Sequence, residues 1–155
     1  MITGYYISLV TFIPPANPTL NRYLPTGDEW SYEVKFDGYR TQVHVAGKVV
    51  VIYSRNGHDV TQRYPVIVEA ARQLLVRSAI LDGELVIDGH GQRPDFLALH
   101  SRASSGHALW AFDLLMLNGR DIRNKPYSER RSRLWRVILP GDVIRFSASF
   151  EDGEA

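Results

Sequence analysis

The chain has 155 residues, room for one ordinary domain with a real core but not for two. Hydrophobic residues at 45% and charged residues at 23% exclude a disordered tail, and 18 Lys and Arg against 17 Asp and Glu leave a net charge of only +1. Any nucleic-acid contact must therefore come from a local patch, and the absence of cysteine excludes disulfides, cysteine-ligated zinc and a thiol nucleophile.

In chain order, the segment up to Trp30 is punctuated by Pro14, Pro15, Pro18 and Pro25, with a turn at Thr26-Gly27-Asp28, and is expected either to lie across the domain as an extended strap or to be partly disordered. Its apolar run from Tyr5 to Pro14 is too short and too polar for a membrane span and lacks the flanks of a secretory signal, so the chain is expected to be soluble and intracellular. Alternation then predicts a strand in which Tyr32, Val34 and Phe36 share one face and Glu33, Lys35 and Asp37 the other. Gly38 breaks that run. Thr41 to Ala46 and Val49 to Ser54 form a hairpin about Gly47-Lys48. Pro65 opens a helix with Ile67, Ala70, Ala71, Leu74 and Leu75 at helical spacing. Ile80 to Ile87 is a strand interrupted by Asp82 and Glu84, followed by a turn at Asp88-Gly89-His90-Gly91 and a short helix from Pro94 carrying Phe96 and Leu99. Leu109 to Leu117, almost continuously apolar apart from Asp113, belongs in the middle of a sheet, and Asn118-Gly119 turns the chain after it. Ser128 is placed as the N-cap of a helix with Leu134, Val137 and Ile138 inward, and Val143 to Phe146 is a last short strand. Strands joined by hairpins with segregated helices make an α+β domain.

The stretch Glu33 to Arg40 holds the densest chemistry. By composition alone, Glu33, Lys35 and Asp37 read first as a wet strand face with paired charges. The sharper reading is a lysine nucleophile, and that requires an unprotonated amine, a pKa drawn down from about 10.4 toward neutrality. Glu84 within an apolar strand is either a satisfied structural acid or an acid awaiting a ligand or cation. The five histidines lack metal-ligand spacing, with His58 and His100 read as surface residues, and Arg130, Arg131, Arg133 and Arg136 make a basic helix face, solvated before all else. Gly47-Lys48 and Gly89-His90-Gly91 lack the further glycines of a P-loop or a dinucleotide loop.

Lys35-Phe36-Asp37-Gly38-Tyr39-Arg40 resembles the K-x-D-G-x-R motif of ATP-dependent DNA ligases, and in particular the adenylation domain of bacterial end-joining ligases of the ligase D type. Further elements resemble that family in the right order: Ser54-Arg55-Asn56-Gly57, Leu81-Asp82-Gly83-Glu84-Leu85-Val86, Trp110-Ala111-Phe112-Asp113-Leu114-Leu115, and Phe146-Ser147. The resemblance implies an α+β fold of antiparallel sheets flanked by helices, an incomplete nucleotidyltransferase (ATP-grasp-like) adenylation domain. Residues 1–30 would be an extended N-terminal segment and residues 31–155 the N-terminal part of that domain. It further implies that Lys35 attacks the α-phosphate of ATP to give lysyl-AMP, assisted by Asp37, and that AMP passes to the 5′-phosphate of nicked double-stranded DNA in repair. Glu33, Arg40, Glu84 and Phe112 would contact the nucleotide, Arg40 at the sugar, Glu84 at the ribose and Phe112 at the adenine face. Arg55 would contact the 5′-phosphate of the nick, and Glu84 would serve Mg2+ or Mn2+.

The same resemblance leads one to expect an E-G-x-V-x-K strand, a lysine pair and an OB-fold, none of which lies within these 155 residues. The chain is accordingly expected to be incomplete, with a missing ligase segment or end-joining proteins as partners, no membrane, and a cytoplasmic, nucleoid-associated setting. Two alternatives stand beside ligation: a non-catalytic remnant that acts at most as a nucleotide-binding or interaction module, and RNA ligation or cap guanylylation, which share the lysine motif.

Overall fold

The computed structural model describes residues 11–87 and 106–150. The strands are β1 (Tyr32–Glu33), β2 (Tyr39–Ala46), β3 (Val49–Ser54), β4 (Ser78–Ile87), β5 (His107–Leu117), β6 (Arg120–Asp121), β7 (Ile144–Phe146) and β8 (Ser149–Phe150). Helix α1 (Pro65–Arg72) lies between β3 and β4, and helix α2 (Tyr127–Val137) between β6 and β7. The turn at residues 88–91 and the short helix from Pro94 fall outside the described residues, as does His100.

Order within the main sheet is β3-β2-β4-β5-β6, all antiparallel, and β7 runs parallel to β5 at Leu109 to Ala111. At the hairpin between β2 and β3, Gly47 takes a φ of 58°, which a side chain would strain. Between β5 and β6, Asn118 and Gly119 take φ of 50° and 84°, the pattern of a tight hairpin, and the Asn118 carboxamide accepts the Arg77 amide at 2.8 Å.

Both helices pack on the sheet face that carries Val43, Val45, Leu81, Leu85, Leu109 and Leu114, with Ile67 and Ala71 from α1 and Leu134 and Val137 from α2. Each fully buried Leu or Ile there contributes roughly 1.5–3 kcal/mol by leaving water. On the opposite face of β2 lie the buried Gln42 and His44. The Gln42 amide donates to the Ile13 carbonyl at 2.6 Å, and the Ile13 N–H approaches its oxygen at 3.4 Å, so this side chain pairs with the N-terminal segment as a strand backbone would. Phe12, at 5.9 Å from the Tyr53 ring, packs beside it.

Three local expectations are corrected. The strand expected to run on to Asp37 stops at Glu33, because β8 pairs only with Tyr32 and Glu33 and no other described strand takes up residues 34–37. Ser128 lies inside α2; Pro126 is the N-cap, its extended ψ of 145° followed by the helix and its carbonyl accepting the Glu129 and Arg130 amides. Helix α1 ends at Arg72, so Leu74 and Leu75, expected at helical spacing, lie beyond it, the first buried and the second 86% exposed.

Candidate active site

One wide cleft is bordered by the segment 33–40, by the loop after β3 and by Glu84 of β4 and His107 and Phe112 of β5, and Lys35, Arg40 and Arg55 also line it. Two glycines let its walls approach. A Cβ on Gly38 would run into the Leu85 carbonyl oxygen, and one on Gly83 would sit 2.6 Å from the Trp110 carbonyl oxygen. These are the glycines of Asp37-Gly38 and Asp82-Gly83, so the motif glycines have a packing reason independent of any ligand.

The β4–β5 ladder slips at the cleft. Asp82 pairs with Asp113 but Gly83 pairs with Ala111, leaving Phe112 as the extra residue of a bulge. A bulge re-aims its side chain, which is how an aromatic from a strand that is otherwise core comes to border the cleft. Over the Phe112 ring lies the Arg40 guanidinium, 4.5 Å from the centroid. Arg40 is held there by Asp82, whose carboxylate it grips through two 2.8 Å bonds and whose side chain is only 4% exposed. Nearby, Phe36 stacks on Trp110 at 4.6 Å and 14°, which anchors the lysine segment on β5.

Glu84 sits half-buried across from Arg40 on β4 and accepts the Gly38 amide at 3.1 Å. Burial pushes its carboxyl above the usual range, and the Gly38 amide, Arg40 and Lys35 pull against that. Lys35 is different. Its side chain is 85% exposed and forms an ion pair with Asp37, so the amine is held above its ordinary value, first by the hydrogen bond to Asp37 and next by that carboxylate's charge. The shift is therefore opposite to the one expected of a nucleophile: the carboxylate beside the amine outweighs what little desolvation acts on it.

The expectation that Glu33, Lys35 and Asp37 share one face is also corrected. Glu33 turns away from the ion pair and accepts Arg131 Nη1 at 2.9 Å, the Tyr127 hydroxyl at 2.6 Å and, more loosely, Ser147 Oγ at 3.4 Å. Because strand geometry ends at Glu33, the period of two that would have aligned the three no longer applies. Nor is the basic face of α2 uniformly solvated. Arg131 is buried, and Arg130 clasps Asp113 at 2.8 and 3.0 Å. Burial and the bond to Glu33 push the Tyr127 hydroxyl up to about 12, so it stays a donor at any ordinary pH. Arg55 borders the cleft with its guanidinium bonded to Asn17 Oδ1 at 3.1 Å.

Sequence reasoning did not single out Asp82, Arg131, Tyr127 or Asn17. An acid inside an apolar strand was a visible signal for Asp82, but nothing local distinguishes Arg131 from its neighbouring arginines. Among the described residues no three His, Cys, Asp or Glu converge as a metal cluster. The carboxylates of Glu84 and Asp37 border the same cleft, a donor pair that suits magnesium or manganese when substrate phosphate oxygens complete its shell. Stacked aromatics, the four cationic side chains of Lys35, Arg40, Arg55 and Arg63 and an open cleft likewise suit a nucleotide.

These features define a class by fold: an α+β domain that, among the described residues, sets two helices on a mainly antiparallel sheet. The same architecture occurs in the ligase domain of M. tuberculosis LigD, with a TM-score of 0.69 and 32% identity over 77% of this chain and 39% of that one. A mycobacterial DNA ligase D complexed with ATP gives 0.67 and 31%, covering 77% and 40%. The chain belongs to the ATP-dependent DNA ligase domain family, whose model matches residues 14–151. It is 38% identical over 148 residues to the multifunctional non-homologous end joining protein LigD of Pseudomonas aeruginosa, and 37% identical over 137 residues to a DNA ligase of Thermococcus fumicolans. These matches cover 91% and 80% of this chain but only 17% and 24% of those proteins. Among the described residues no helix is long and apolar enough to cross a membrane.

Proposed function

We propose that this chain carries the nucleotide-activating part of an ATP-dependent DNA ligase that works in end joining, with Lys35 as the residue that takes AMP. The observation that carries this is the single cleft on which Lys35, Arg40, Glu84 and Phe112 converge from three separate parts of the sequence. Membership of the ligase domain family and the likeness to a ligase structure holding ATP support it.

In the proposed step the Lys35 Nζ lone pair attacks the α-phosphorus of ATP. An N–P bond forms, the bond from that phosphorus to the β-phosphate bridging oxygen breaks, and pyrophosphate leaves with the electron pair. Attack requires the neutral amine, so the ion pair with Asp37 must first yield, with Asp37 taking the proton or passing it to water. Arg40, already held over Phe112, is preorganised at the nucleoside end, where it meets the sugar while Phe112 supplies an aromatic face for the base. Glu84 accepts a ribose hydroxyl and Glu33 fixes the strand beneath the nucleotide. Mg2+ or Mn2+, when bound near Glu84, offsets the negative charge of the triphosphate. AMP then passes to the 5′-phosphate of nicked double-stranded DNA, which Arg55 receives. The remaining ligase segment or end-joining proteins complete the reaction, in the cytoplasm at the nucleoid.

A second reading, a remnant without covalent chemistry, is favoured by one observation, the exposed Lys35 held in an ion pair with Asp37. Incubation with ATP labelled at the α-phosphate and magnesium separates the two. Label retained through denaturation and lost in Lys35→Ala is the expected result; a folded chain that retains none overturns the ligase reading.

A further inference from the structure

Strand β1 is two residues long and its partner β8 is equally short. Such a pair is not stable by itself, yet Lys35 follows it by two residues. What secures β1 is therefore a question about the position of the lysine. The structure answers it with side chains. Glu33 of β1 is gripped by Arg131 Nη1 at 2.9 Å and by the Tyr127 hydroxyl at 2.6 Å, both from α2. The same Nη1 lies 3.3 Å from the Phe112 carbonyl on β5, and Nη2 donates to the Ser147 carbonyl just before β8. The Arg131 guanidinium also packs on the Phe146 ring at 4.6 Å.

Arg131 thus joins β1, the bulge of β5, the entry to β8 and α2 at one planar group, and its side chain is only 8% exposed. A guanidinium stays charged when buried and directs its donors in a rigid fork, so it fixes the mutual orientation of its acceptors as a flexible ammonium would not. Burying that charge is costly unless it is paired, and here the Glu33 carboxylate, the Phe112 and Ser147 carbonyls and, at 3.4 Å, the Tyr127 hydroxyl oxygen accept from it.

We propose that Arg131 is a positioning residue for nucleotide transfer: acting through Glu33 and the Phe112 carbonyl, it holds the Lys35 segment in register with the aromatic wall of the cleft. This rests on the reading of Lys35 as the AMP acceptor. A displacement of about 1 Å at a reacting group can cost on the order of a hundredfold in rate, so loss of the fork acts on the transfer step more than on nucleotide binding.

The test uses the chain with Arg131→Gln, Tyr127→Phe, Glu33→Gln, the Glu33→Gln and Arg131→Gln pair, and Lys35→Ala. Covalent labelling is followed against ATP concentration, and amide exchange is compared between residues 32–38 and β2–β4. Arg131→Gln is expected to label about 10- to 100-fold more slowly at saturating ATP, with the half-saturating ATP concentration within about threefold. Exchange at 32–38 quickens while β2–β4 stay protected, and the double variant is no slower than the slower single one. Tyr127→Phe, which keeps the charge pair, falls between wild type and Arg131→Gln and carries the test should Arg131→Gln not fold. Unchanged labelling in a folded Arg131 or Tyr127 variant overturns the positioning role alone, as does a uniform loss of exchange protection across the sheet. No label on the unaltered chain, with exchange at 32–38 still responding to Arg131, overturns the Lys35 reading and the positioning role with it.

Discussion

The six-stranded sheet and the β1–β8 pair are built on opposite principles. In the first, Val43, Leu81, Leu109 and Leu114 are wholly buried between long strands and two helices, and backbone ladders supply the order. In the second, two residues pair with two, Val34 is 55% exposed, and order comes from the polar grip on Glu33 and the Phe36–Trp110 stack. The large sheet presents Arg40, Glu84 and Phe112 on a rigid surface; the small one delivers Lys35 at its open rim. The contrast teaches that the binding half of the cleft is held by apolar packing, while the reacting half hangs on a few charged and aromatic contacts. Removal of a core side chain should therefore unfold the domain, whereas changes in the small sheet should alter chemistry in a domain that stays folded.

The sharpest break of that comparison is Lys35→Ala, which should abolish covalent labelling by ATP while leaving the thermal unfolding midpoint within error, since the side chain stands in solvent. Leu81→Ala should do the reverse, costing about 2–5 kcal/mol in denaturant unfolding by leaving a cavity in the central strand. Asp82→Ala lies between. It strips Arg40 of its buried partner and frees the guanidinium from Phe112, with an expected loss of about 1–3 kcal/mol in stability and weaker nucleotide binding, measurable by denaturation and by ATP titration.

The smallest expected effect is a shift in pH dependence. Asp37 holds the Lys35 amine above its ordinary value, and only the neutral amine attacks, so labelling should rise with pH through the neutral and alkaline range, about tenfold per unit below the amine's pKa. Asp37→Asn removes the largest cause of the upward shift and should move that rise to lower pH. A labelling profile indifferent to this substitution would mean that the ion pair does not survive in the nucleotide complex.

How legible the sequence was follows the same division. Strands β2, β3, β4 and β5 announce themselves by alternation or unbroken apolar runs, because burial fixed their composition, and Pro65 and Gly47 marked their local roles. The motif resemblance located the cleft residues, yet the geometry around them was hidden. Alternation promised a strand to Asp37, but a strand lasts only as long as its partner, and β8 contributes two residues. The bulge that aims Phe112 arises from a slip against β4, which no pattern in β5 alone encodes. Arg131 reads as one of four surface arginines until the fold brings Glu33, 98 positions earlier, against it. Long-range polar pairing is the part of this site that period and composition do not carry.

The chain's lysines are Lys35, Lys48 and Lys125, which makes the central claim open to one direct measurement. After incubation with ATP and magnesium, peptide mapping by mass spectrometry should find a single adenylyl group, on the peptide that contains Lys35. An adduct on Lys48 or Lys125 instead, or an unmodified Lys35 peptide from folded protein, would contradict the account.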